Sequence, residues 1–265
     1  MLRAKRLQAR VLSADELAAT RRRSWSLKPP VQDYFLEQHV RRSAGFGLRW
    51  DAREIGHLIL SPERTLLELE LQNGAPASSL LRELIPLLRV ARAWRLSAEN
   101  EQEEQDVLQR LLREFFPVTR VLGISFREYR PAALPLAALQ ARQASSEDLQ
   151  ALLAIIDPEI HATAEALGED LNQERIFLYE RNGHALGMGV VSRILPDLPE
   201  HDIGLLVAPP FRGQGFGSAI VQHLAALCLG RGWRPVCSCD TGNHASRRCL
   251  EKAGFIETGH VLELS

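Results

Sequence analysis

The segment from Asp202 to Ser218 constrains this chain more than any other. An apolar run, Ile203 to Val207, has the character of a strand and stops at Pro209-Pro210. Arg212, Gly213, Gln214, Gly215, Phe216, Gly217 and Ser218 come next. Residues 219–229 follow, with apolar side chains at Ile220, Val221, Leu224, Leu227 and Cys228. That three-and-four spacing is one face of an amphipathic helix, and Gly230 supplies a stop signal. Strand, glycine turn and helix in this order make an anion site from the backbone itself. Glycines without a Cβ let several N–H groups converge, and the positive end of the helix dipole lies behind them. The spacing predicts a pyrophosphate as the guest.

Two common nucleotide loops do not fit. The Gly-Lys-Ser/Thr ending of a P-loop is absent, which argues against ATP and GTP. A dinucleotide fingerprint needs Gly-x-Gly-x-x-Gly early in a βαβ unit with an acidic residue about twenty positions on, and that pattern is also missing. Arg212-x-x-Gly215-x-Gly217, behind the strand end Leu205, Leu206 and Val207, resembles the coenzyme A pyrophosphate loop of the GNAT superfamily of acetyltransferases.

A second signature stands at the matching distance. Residues 235–240 alternate as a strand, and Asn243 to Phe255 resembles the family's following helix, which Asn opens and Glu-Lys-x-Gly-Phe closes. Asn243 suits an N-cap and Gly254 a C-terminal stop. Upstream, residues 140–145 read as a strand, 146–156 as a capped helix and 159–171 as a second helix. Residues 175–179 and 185–192 then read as a hairpin around Asn182-Gly183. The resemblance covers about residues 137–265. It implies an α/β fold of the GNAT type, with a mixed, mostly antiparallel central sheet flanked by helices.

It also implies a chemistry: direct transfer of an acetyl group from acetyl-CoA, as cosubstrate, to an amine. Backbone of Leu205, Leu206 and Val207 would pair with the amides of pantetheine as an added strand would. An N–H near Leu206 or Val207 would meet the developing oxyanion. Arg212 and the loop from Gly213 through Gln214, Gly215, Phe216 and Gly217 to Ser218 would hold the phosphates, and Asn243 would either cap its helix alone or also touch pantetheine. An ammonium of pKa near 10.4 must lose a proton before it attacks. Asp202 and His201, at the start of the same strand, are the candidate bases. Many relatives carry a tyrosine before Glu-Lys-x-Gly-Phe to protonate the departing thiolate, and Leu250 stands there in this chain. That departure keeps a second reading open, a non-catalytic acyl-CoA-binding regulatory protein. The acceptor, small molecule or peptide, and the oligomeric state are not legible in the sequence.

Composition bounds the rest. With 265 residues, 45% of them apolar, the chain can bury one large core or two modest ones. A net charge of −1 argues against a general nucleic-acid binder, and no apolar run is long enough to span a bilayer. The cysteines (228, 237, 239 and 249) form no Cys-x-x-Cys pair, so neither a metal site nor a disulfide framework is expected, and a reducing cytoplasm is.

The first half reads as strands at 56–60, 65–71, 93–97 and 118–128, with helices at 78–91 and 101–116 and a linker at 131–135. Strand, helix, strand, helix, strand is also the order of the second half of a GNAT fold. Residues 1–131 are expected to form a smaller α/β domain ahead of an acetyltransferase domain at 132–265. That element order is also common in unrelated α/β domains, and the alternative it leaves open is a degenerate copy of the same fold, or a half of one, that has lost its anion loop. Residues 1–50, with Trp25, Pro29-Pro30 and Phe35, assign to no element.

Overall fold

A computed structural model describes residues 7–25, 33–51, 53–63, 65–72, 83, 93–99, 118–132, 139–156, 164–196 and 198–264. They fall into two units. The first comprises residues 1–124 and 259–265, the second residues 125–258.

In the first unit, β1 (Leu7–Val11), β2 (Ala44–Trp50), β3 (Arg53–Leu60) and β4 (Thr65–Leu71) pair in sequence, each antiparallel to the next. Next comes β5 (Ala93–Glu99), parallel to β4 through Thr65↔Ala93 and Leu66↔Trp94. Helices α1 (Ala14–Trp25) and α2 (Tyr34–Arg41) precede β2. Asp33 caps α2 by accepting from the Leu36 amide at 2.6 Å. Val40, Ile59 and Leu67 form a small core, with Leu17 and Leu36 packed against it. The helix expected at 101–116, all of that expected at 78–91 except residue 83, and most of the linker at 131–135 lie outside the described residues.

The second unit repeats this pairing order. Strands β7 (Gln140–Gln143), β8 (Ile176–Arg181), β9 (His184–Arg193) and β10 (Glu200–Val207) are successively antiparallel, and β11 (Arg234–Asp240) is parallel to β10. Helices α3 (Leu149–Ile155) and α4 (Ala164–Asn172) lie between β7 and β8, where α1 and α2 lie between β1 and β2. The first unit thus has the same strand order and pairing sense as the second. Strands β6 (Val118–Tyr129) and β12 (Phe255–Leu264) each contribute residues to both units. In the first, Gly259 to Leu264 pair with β5; in the second, Thr258 Oγ1 accepts from the Arg127 amide and donates to the Ser125 carbonyl.

Helices cover both faces of the second sheet. Leu152, Ile155, Leu167 and Leu171 of α3 and α4 pack on Ile176, Leu178 and Met188. Helix α5 (Phe216–Gly230) takes the other face, where Gly187 and Gly189 admit Ile220 and Leu224. Beneath it the fully buried Tyr179 hydroxyl reaches His223 Nδ1 at 2.8 Å. Helix α6 (His244–Ala253) packs beside α5. The hairpin turn Asn182-Gly183 has positive φ at both residues (52° and 77°), the geometry that matches strand twist. Helix α5 runs through Gly230, one residue later than expected, with Gly232 left-handed at φ 73°.

Candidate active site

The site is built where β10 ends. On one side β10 is fully paired, from His201↔Arg193 to Val207↔Gly187. On the other its parallel ladder with β11 holds only from Glu200↔Arg234 to Asp202↔Val236, although both strands continue. Pro235 contributes no N–H to that short ladder. From Ile203 to Val207 the β11 side of β10 is therefore an open edge without strand partners, its Val207 carbonyl accepting instead from Arg212.

That edge leads into the anion loop. Ala208 is followed by a single 3-10 turn, Pro209–Phe211, and the chain then turns through Gly213 and Gly215 in left-handed conformations, φ 74° and 86°. A Cβ on either glycine would meet nothing within 4 Å, so the space above the loop is open to a ligand. Gly215 is the N-cap of α5, and the first intrahelical bond runs from the Ala219 amide to the Gly215 carbonyl. The amides of Phe216, Gly217 and Ser218 come before it and have no intrahelical acceptor. Left-handed glycines and three leading amides at the positive end of a helix suit a diphosphate.

Side chains in the loop serve its shape. Arg212 Nε donates to the Val207 carbonyl at 3.0 Å, and Gln214 Nε2 to the Pro210 carbonyl at 3.0 Å. The Ser218 hydroxyl is buried and donates to the Cys249 carbonyl of α6 at 3.2 Å, leaving its amide for the loop. Asn243 caps α6, its Oδ1 accepting from the Ser246 amide at 3.0 Å.

The two candidate bases differ in surroundings. His201 is 5% exposed and stacks flat on Trp233, centroids 3.9 Å apart. Its Nδ1 lies 3.0 Å from the Pro199 carbonyl. Burial pushes its pKa below the ordinary imidazole value, and the Pro199 contact opposes this only in part. Asp202 is half-buried and is the last residue of the closed ladder, at the vertex of the cleft. Its neighbour Glu200 is 2% exposed and bound to Arg234 at 2.9 Å. Leu250 is buried in α6 and carries no proton to give. The four cysteines are free thiols, and burial raises the pKa of Cys249, the one nearest the loop. Among the described residues no cluster of His, Cys, Asp or Glu could hold a metal, and no helix is long and apolar enough to cross a membrane.

Residues 140–255 match the family described as Acetyltransferase (GNAT) family. That part of the chain belongs to the GNAT acetyltransferases. Membership implies acetyl-CoA as acyl donor. Nothing among the curated proteins matches the chain. Among solved structures, a GNAT-family acetyltransferase from Colwellia psychrerythraea is 18% identical, with 97% of this chain and 98% of that one covered and a TM-score of 0.81. A GCN5-related N-acetyltransferase from Sphaerobacter thermophilus is 13% identical over 98% and 95% of the two chains, TM-score 0.66. A tandem GNAT protein from the clavulanic acid biosynthesis pathway is 13% identical over 97% of each, TM-score 0.63. At these identities the likeness is one of fold. It extends over nearly the whole chain, so the GNAT unit and the unit before it recur together in other proteins.

The motif residues were legible in sequence, and the family resemblance implied an exposed edge at Leu205, Leu206 and Val207; the extent of that edge was not legible. It depends on where the β10–β11 ladder stops, after Asp202 and Val236.

Proposed function

We propose that the chain is an N-acetyltransferase that moves an acetyl group from acetyl-CoA directly to an amine acceptor. The observation that carries this reading is the open edge of β10 over Ile203 to Val207, running into the left-handed glycine loop at the start of α5. Pantetheine amides would pair along the edge, and the diphosphate would rest on the amides from Gly213 to Ser218. An N–H of the edge near Leu206 would face the thioester oxygen as it becomes an oxyanion.

Asp202 is the base we assign, because it sits at the vertex of the cleft while the His201 ring is occupied by Trp233 and Pro199. Asp202, directly or through a water, takes a proton from the ammonium, and the neutral amine attacks the carbonyl carbon to form the C–N bond. The C–S bond then breaks, and the remaining surplus amine proton passes to the departing CoA thiolate or to water. A thiol of pKa about 8.5 leaves without much help, so Leu250 in place of a proton donor is compatible with turnover. The test is release of CoA thiol from acetyl-CoA across polyamines, aminoglycosides, amino acids and lysine peptides. Amine-dependent release that falls at least tenfold in Asp202→Asn supports the assignment. Binding of acetyl-CoA without release on any amine would favour the non-catalytic acyl-CoA-binding reading.

A further inference from the structure

Two aromatic rings close the anion loop at its two ends. Phe211, just before Arg212, and Phe216, the first residue of α5, meet edge to face with centroids 6.3 Å apart. Phe216 is 3% exposed, so its ring is a fixed platform. Over that platform, 5.4 Å from the ring centroid, lies the guanidinium carbon of Arg181, the last residue of β8. Arg181 is exposed, and among the described residues its guanidinium makes no hydrogen bond or ion pair. A guanidinium held by its flat face on an aromatic ring keeps its N–H rim available to a second partner. Arg212, the cation within the motif, instead turns its Nε back to the Val207 carbonyl.

Acyl-CoA carries phosphate in two places, the diphosphate and a phosphomonoester on the ribose 3′ oxygen. The loop amides can enclose only the first. We propose that Arg181 binds the 3′-phosphomonoester and makes the site selective for CoA over its dephospho form, an inference that rests on the acetyl-CoA reading above. The phosphomonoester carries close to two negative charges at neutral pH, and the planar rim of a guanidinium matches two of its oxygens at once. The ring platform positions the cation without consuming its donors.

The experiment is calorimetric titration of wild type and Arg181→Gln with acetyl-CoA and with 3′-dephospho-acetyl-CoA. Wild type should prefer acetyl-CoA by about tenfold, the scale of one charge-assisted contact, and added salt should shrink the preference. Arg181→Gln should lose that tenfold for acetyl-CoA, keep wild-type affinity for the dephospho form, and so discriminate no longer. Equal affinity of wild type for both ligands, or equal losses for both in the variant, would overturn this inference alone. Binding of neither ligand by wild type would overturn the acetyl-CoA reading as well.

Discussion

A Cβ placed on Gly217 of α5 would stand 2.9 Å from Cys249 Sγ on α6 and 3.3 Å from Leu205 Cδ1 on β10. Both helices and the open strand converge on a point with no room for a methyl group. On helix propensity alone, Gly217→Ala should stabilise α5 by up to about 1 kcal/mol. Overpacking should reverse the sign and cost about 1–3 kcal/mol. Thermal unfolding checks this, and Cys249→Ala in the same chain should recover most of the loss by removing the sulfur.

Gly215→Asp sets a side chain with a negative charge into the open space over the loop, at φ 86°. Strain of about 1–2 kcal/mol is expected at that left-handed residue. Acetyl-CoA at about 100 times its Kd should stabilise wild type by about 2.7 kcal/mol and leave the variant unmoved. A ligand-induced rise in Tm of equal size in both proteins would remove the diphosphate from this loop.

Acid should weaken both units, through one carboxylate in each. Asp148 is held well below the ordinary carboxylate range, chiefly by hydrogen bonds from Arg142 at 2.6 and 2.7 Å. Burial alone would raise Glu68, but the hydrogen bond with His57 and the charge of Arg21 outweigh it and hold the pKa down. Folded values below the unfolded ones, about 3.9 for Asp and 4.3 for Glu, mean that this stabilisation is complete above that range. It is lost as pH falls through the range toward the folded values. Urea midpoints should therefore decline below about pH 4, and Asp148→Asn should be less stable at pH 7 with a shallower acid decline. An unchanged decline in the variant would mean that Asp148 is not a source of it.

Arg21, 5% exposed, forks between Glu37 at 2.9 and 3.1 Å and Glu68 at 2.9 to 3.2 Å, and Glu68 also meets His57 Nε2 at 2.6 Å. Arg21→Met would remove the guanidinium that two carboxylates share, one from α2 and one from β4. A loss of about 3–5 kcal/mol is expected, the usual effect of breaking a buried pair from one side. Replacing Arg21, Glu37 and Glu68 together with apolar residues should restore much of it, read in the same denaturation curves.

This cluster also explains what the sequence concealed. Helix α1 buries a paired arginine where an amphipathic helix would show an apolar residue, so its periodicity is faint. Strand β2 contains Gly45 and Gly47, poor strand formers, because Leu17 and Leu12 occupy the space their side chains would take. Both features depend on partners distant in sequence, and residues 1–50 could not be assigned without them. In the GNAT unit the sequence signals are local. Asn182-Gly183 makes the expected turn, and β4 in the first unit matches its expected bounds because apolar runs and glycine punctuation need no distant partner. The extra strands β6 and β12 show the opposite limit, since their division between units follows from pairing alone.

That division governs how the chain is made. Residues 125–129 of β6 serve the second unit, and residues 259–264 of β12 return to the first. The first unit is not a continuous stretch of sequence and the second begins at residue 125, so a cut after residue 131 would give two fragments that each lack part of their own unit. On the ribosome, the first unit must hold β5 without its antiparallel partner until more than a hundred further residues have been synthesised.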